Sequence, residues 1–312
     1  GILNGLQKVY DFAPEKFNVI GAKDSIMPFE VLFTGLMINQ IYFWSMNQTI
    51  IQRALGAKNL VEAQKGLLYT GILKLIVPVI IILPGVIGFY YFGEMLYDNQ
   101  DLIYPELIKK VLPKSATGLF AAIVMGAVLS TFNSVLNSAS TIFSFDIYKK
   151  HIRPEVKDAQ LVRVGKTVST LLALFSIVVA PLVVNAPDGL YQLLQQLNGI
   201  FFIPIASIML AGFFTKNITA LAAKSALIFG LVFYVFFTFI YKIDLHFVHL
   251  WGIEFVLNMG IMIFISKMKP HDKNFEIIDK QIVPMRSWKY TNQLSAALCL
   301  ITLLIYIMLG RF

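Results

Sequence analysis

Charge is scarce in this chain. Of its 312 residues, 14% are Asp, Glu, Lys or Arg and 57% are hydrophobic, whereas about a quarter of a soluble domain is charged. That shortfall excludes an ordinary soluble globule. Cysteine is almost missing too. Cys299 is the sole one, so no intramolecular disulfide can form, and its place in the last apolar run reads as packing. Enzyme signatures are lacking: there is no HExxH, no GxSxG and no phosphate-cradling GxxxxGK(S/T), and His151, His246, His249 and His271 show no metal-ligand spacing. Transport therefore fits better than catalysis. No internal repeat or low-complexity tract is legible. Neither end carries a signal peptide and Gly1 is not an initiator methionine, so the chain reads as a portion of a longer protein.

What the chain does have is long apolar sequence. Stretches able to cross a bilayer lie near residues 29–51, 66–92, 115–145, 164–184, 189–213, 218–241, 247–266 and 290–310, eight candidate helices in all. Their hydrophobicity is continuous rather than alternating, which argues against a barrel and for an all-α, multi-pass membrane protein. The net charge of +8 invites a nucleic-acid partner, but the basic residues are spread by membrane side rather than gathered in one patch. With odd-numbered helices running from the first side to the second, 17 Lys and Arg residues fall on the second side and 8 on the first, with Lys74 left inside the membrane. The positive-inside rule then puts the basic loops in the cytoplasm and both ends of the chain outside the cell membrane. Residues 1–28 read as an extracellular loop with a short surface helix, and DLIYPELIKKVLP as an outside helix lying in the interface.

Lys74 is the only charged residue in the run GLLYTGILKLIVPVIIILPGVIGFYYF. At about 1.5 Å per residue it lies roughly 13 Å beyond Lys65, near the midplane of a core about 30 Å thick. Pro78, four residues on, has no N–H to give, so the Lys74 carbonyl also loses its helical partner. An ammonium and a carbonyl left open at that depth mark a functional site by default; the bland alternative is a packed or snorkelling lysine.

Other polar groups interrupt the apolar helices. The first span holds Asn39, Gln40, Ser45, Asn47 and Gln48 among Tyr42, Phe43 and Trp44, either lining a cavity or bonding to neighbouring helices. In the third, Ser130, Ser134, Asn137, Thr141 and Ser144 recur at three- and four-residue spacing and form one stripe. Such oxygens suit a hard cation like sodium, and equally suit close helix packing. The fifth span carries Gln192, Gln195, Gln196 and Asn198 ahead of Pro204, which frees the Ile200 carbonyl. Glu254 reads as packed or water-exposed.

The segments YFWSMNQTIIQRALGAKNLVEAQKG, ILKLIVPVIIILPG and AVLSTFNSVLNSASTIFSFDIYK closely resemble the sodium/solute symporter family, in particular its sodium/glucose and galactose branch. The resemblance implies a LeuT-like fold of two inverted five-helix repeats. Residues 29–213 would be the second repeat, core helices 6 to 10, and 214–312 the terminal helices 11 to 13, with the first repeat lying outside this sequence. Position by position, Lys74 matches the sugar-binding lysine, Gln195 the sugar-contacting glutamine, and Gln40 a polar site position held by asparagine in the galactose symporter. Ala127 (through its carbonyl), Ser130 and Thr131 match the common sodium site. Phe43 stands where the sugar branch has its inner-gate tyrosine; it can stack on a ring but cannot donate a hydrogen bond. Asn47 is assigned to the same gate.

The expectation is a sodium-coupled sugar symporter working by alternating access, with sodium as co-transported ion, a small sugar as substrate and the lipid bilayer as surroundings. It is not an enzyme, binds no nucleic acid, and takes half of its site from an N-terminal half of the same transporter. The alternatives are a sodium symporter for another small solute, such as an inositol, sialic acid or an organic anion, and a transporter-like membrane sensor domain.

Overall fold

The computed structural model describes residues 1–23, 25, 27–93, 101–183, 190–241, 243–270 and 284–310. All regular structure among them is helical, and seven helices are long and apolar enough to cross a membrane. Helical segments are the local solution to an apolar solvent, because each satisfies its own backbone N–H and C=O groups.

The amphipathic helix α1 (Ile2–Phe12) buries Val9 and is followed by a 3-10 turn at Pro14–Phe17. The first predicted span is not one rod. It divides into a 3-10 turn at Phe29–Phe33, α2 (Gly35–Ser45) and α3 (Gln48–Leu55). The break has a local cause. Met46 and Asn47 both donate their N–H to the Tyr42 carbonyl, at 2.9 and 3.0 Å, and Asn47 then takes an extended conformation. Its side chain accepts from the Thr49 N–H at 2.9 Å, which caps the start of α3.

The remaining spans follow the apolar runs. They are α4 (Leu60–Phe92), α6 (Lys114–Ile142), α7 (Asp158–Val183), α8 (Leu190–Phe214), α9 (Ala220–Val235), α10 (Phe247–Met268) and α11 (Thr291–Leu309), with α5 (Ile103–Val111) the short amphipathic helix before α6. Helix α4 runs unbroken through Pro78 and Pro84, so these prolines remove hydrogen-bond donors without ending it. Helices α6 and α9 each continue into a π-helical segment, Phe143–Ile152 and Phe236–Ile240.

Two compact units form. The first is Gly1–Val86 with Tyr191–Phe312, and the second is Ile87–Leu190. The buried core of the first lies among α8, α9 and α10. One cluster joins Ile203, Tyr234, Val248 and Trp251; another joins Ala211, Ala222, Ala226 and Met262, where small side chains let the helix backbones approach. Ser266 Oγ accepts from the Thr219 N–H at 3.0 Å, tying the start of α9 to the end of α10. Helix α2 packs on α10. The start of α11 is fastened to α4, since Gln64 Oε1 accepts from the Trp288 N–H at 2.8 Å and from Thr291 Oγ1 at 3.0 Å. The second unit is α5, α6 with its π-helical continuation, and α7, which packs on both.

Candidate functional site

In the first unit two of the three predicted substrate residues, Gln40 and Lys74, meet through Trp44 near the break between α2 and α3. Lys74 lies on α4 about 21 Å from the Leu60 end and about 27 Å from the Phe92 end, so it is near mid-helix. Its ammonium sits 4.3 Å from the centroid of the Trp44 ring. A cation over an indole face is the most favourable such pairing, worth about 0.5–2 kcal/mol. Trp44 Nε1 in turn donates to Gln40 Oε1 at 3.0 Å, across one turn of α2. Gln40, Trp44 and Lys74 thus form a continuous relay. With its oxygen taken by the indole, the Gln40 amide keeps its NH2 group for another acceptor.

An aromatic wall stands beside this relay. Phe43 meets Trp44 edge-on at 5.2 Å and faces Phe202 of α8 at 6.3 Å, while Tyr42 packs on Phe202 at 4.7 Å. Gln195 lies seven residues before Phe202, two turns away on the same face of α8. It is half-buried, and none of the described hydrogen bonds ties it to Gln40 or Lys74. Asn47, named for the gate, caps α3 at the break. Trp44 is the residue that sequence reasoning left unassigned, although its spacing of four from Gln40 was visible. Phe202 carried no signal at all, because only packing brings α8 to α2.

The residues expected to meet the cation belong to the second unit. Ala127, Ser130 and Thr131 share one face within a turn of α6, and all three are exposed in this chain. Thr131 Oγ1 donates to the Ala127 carbonyl at 3.1 Å, so two of the three oxygens are already neighbours. Ser134 Oγ donates to the Ser130 carbonyl at 2.9 Å, and Thr141 Oγ1 to the Asn137 carbonyl at 2.7 Å. Each hydroxyl spends its hydrogen on the helix and keeps lone pairs outward, as an oxygen ligand must. Farther along the stripe, Ser144 is buried against Gly165 of α7 and serves packing. Glu254 is fully buried in α10, which removes its water-exposed reading.

A continuous match to the sodium:solute symporter family covers residues 7–230. The chain belongs to that family. The symporter family is one of transporters, not enzymes. This member is 38% identical over 310 residues to YidK, an uncharacterised symporter of Escherichia coli, covering 99% of the chain and 54% of that protein. It is 32% identical over 259 residues to a sodium/glucose cotransporter of Vibrio parahaemolyticus, covering 77% of the chain and 47% of that protein. Sodium/myo-inositol cotransporter 2 of Homo sapiens is 31% identical over 224 residues, covering 67% of the chain and 33% of that protein. The chain spans about half the length of the first two of these. A solved structure of a Na+-coupled sialic acid symporter in a substrate-bound outward-open state superposes with a TM-score of 0.71, at 20% identity, over 88% of this chain and 57% of that one. At that identity the likeness is one of fold, and the fold is all-helical and LeuT-like.

Proposed function

We propose that this chain carries one wall of a sodium-coupled sugar symporter of the cell membrane, with a glucose- or galactose-like substrate. The observation that carries the reading is the relay of Gln40, Trp44 and Lys74, which joins the middle of α4 to the helix that ends at the Met46–Asn47 break. It is supported by the sodium/glucose cotransporter among the relatives. Lys74 Nζ has three hydrogens to donate, and no carboxylate among the described residues lies within ion-pair distance of it. A sugar hydroxyl draws the ammonium off the Trp44 face. The Gln40 amide and Gln195 supply further donors, and Phe43 with Phe202 offers apolar ring faces to stack on the pyranose.

Sodium is the second substrate. The Ala127 carbonyl and the Ser130 and Thr131 hydroxyls form the chain's share of a hard-oxygen site. Coupling follows if sodium binds the outward-open state more tightly than the inward-open one. The break at Met46–Asn47 lets α2 and α3 move separately, which suits a gate at Phe43 and Asn47. The reading places residues 29–213 as the second inverted repeat and 214–312 as terminal helices, and takes the facing walls from polypeptide beyond these 312 residues. The 17-to-8 division of basic residues supports both ends lying outside.

A second reading, a small organic acid or an inositol, is favoured by one feature: the unpaired Lys74 charge suits a carboxylate as well as a hydroxyl. Sodium-driven uptake by the full-length protein in proteoliposomes separates them. Competition by glucose and galactose, with sialic acid and inositol inert, is the expected result. Full accumulation of the transported solute by Lys74→Ala would refute the role of Lys74, whichever solute is carried.

A further inference from the structure

Glu254 takes no part in either site. It lies on the buried stripe of α10 between Trp251 and Asn258, and all three are 0% exposed. Asn258 Nδ2 donates to Glu254 Oε1 across a long 3.5 Å. Two acceptors of this pair, Glu254 Oε2 and Asn258 Oδ1, have no partner among the described residues. No Lys, Arg or His lies within ion-pair distance of the carboxyl among those residues. The surrounding elements bring no charge. From α9 come the Gly230 backbone and Tyr234, and from α8 come Gly199 and Pro204. The titratable neighbours along the chain are His246, which caps the start of α10, and His249 in its first turn, and His249 is engaged with Thr34 Oγ1 at 3.1 Å.

A lone carboxylate in such a place is strongly disfavoured, because it gives up its hydration for no compensating charge. The orphan atoms show how that cost is avoided. They are both acceptors on side chains four residues apart on one helix, and the Nδ2 contact already brings the amide and the carboxyl together.

We propose that Glu254 is a proton-binding site, holding its proton on Oε2 and sharing it with Oδ1 of Asn258 as a carboxylic acid–amide pair. Protonation turns Oε2 from acceptor to donor. The Oε2–H to Oδ1 bond and the Nδ2–H to Oε1 bond then close a ring, and no net charge is buried. A metal cation fits less well, because Asn258 Nδ2 and Trp251 Nε1 present polar hydrogens on the same stripe. The ring also explains Gly230. A methyl group there would lie 2.7 Å from both Asn258 Nδ2 and Glu254 Oε1 and 3.0 Å from Pro204 Cγ, so α9 lies directly over the pair. The bound proton therefore holds the α8–α9–α10 packing together.

The test uses the full-length protein in lipid at neutral pH, followed by infrared spectroscopy and thermal unfolding. The wild type should show the carbonyl stretch of a protonated, hydrogen-bonded carboxyl. Glu254→Gln should lose that band and keep the melting temperature, because its amide donates to Oδ1 as the acid does. In Asn258→Leu the band should persist at higher frequency, which reports on the pair even if Glu254→Gln does not fold. Absence of the band from the wild type would overturn the proposal. So would its disappearance when choline chloride is replaced by sodium chloride, since that outcome makes the site one for a metal cation.

Discussion

If Lys74 leaves the Trp44 ring to meet the substrate, the two residues compete, and the competition has a measurable sign. A hydrogen bond from a charged donor is worth about 1.5–3 kcal/mol, and the cation–π contact surrendered in exchange is worth about 0.5–2 kcal/mol. With central figures of about 2 and about 1, Lys74→Met costs about 1 kcal/mol per substrate bond, roughly fivefold in half-saturating sugar. Once the indole is gone, in Trp44→Leu, nothing is surrendered. The same Lys74→Met change should then cost about 2 kcal/mol, nearly thirtyfold. The coupling between the two positions is thus about 1 kcal/mol, and its sign makes the lysine more valuable when the tryptophan is absent. The assay is equilibrium sugar binding to the full-length protein at saturating sodium, in wild type, both single variants and the double variant. Equal penalties in the two backgrounds, or a smaller one without Trp44, would refute the competition and leave the 4.3 Å contact as packing alone.

Three further outcomes are expected. Ser130→Ala should weaken sodium dependence of uptake with sugar affinity at saturating sodium kept, whereas Thr131→Ser, which retains the oxygen next to the Ala127 carbonyl, should preserve sodium dependence. Asn47→Ala removes the cap of α3 and should cost about 1 kcal/mol of local stability, read as faster hydrogen exchange at Thr49 and Ile50; unchanged exchange would show that the break does not depend on the cap. Gly199→Ala would place a methyl 2.1 Å from Trp251 Nε1 and 2.7 Å from the Tyr234 hydroxyl, and overpacking of this kind costs about 1–3 kcal/mol. A clear drop in melting temperature is expected, and an unshifted melt would mean that α8 and α10 separate freely there.

Much of this molecule is a local property of its sequence. A bilayer demands about twenty apolar residues in a helix that satisfies its own backbone, so the seven rods could be read from composition and run length alone. Lys74 stood out for the same reason, as one charge in an apolar run, and the stripe on α6 followed from a spacing that needs no partner to be seen. Hydropathy could not show the interruption at Met46–Asn47, because an average over some twenty residues passes smoothly across a two-residue break that a carbonyl and a capping amide create. Nor could it show which side chains meet. Gln40 and Lys74 are joined through Trp44 because the fold brings the Lys74 ammonium of α4 over a ring of α2, and Phe202 meets Tyr42 and Phe43 because the fold brings a ring of α8 to the same turn. Glu254 is the plainest case. Whether a carboxyl near the end of an apolar helix is wet or dry depends on which face that helix turns to its neighbours, and only the packing of α8, α9 and α10 placed it out of reach of water.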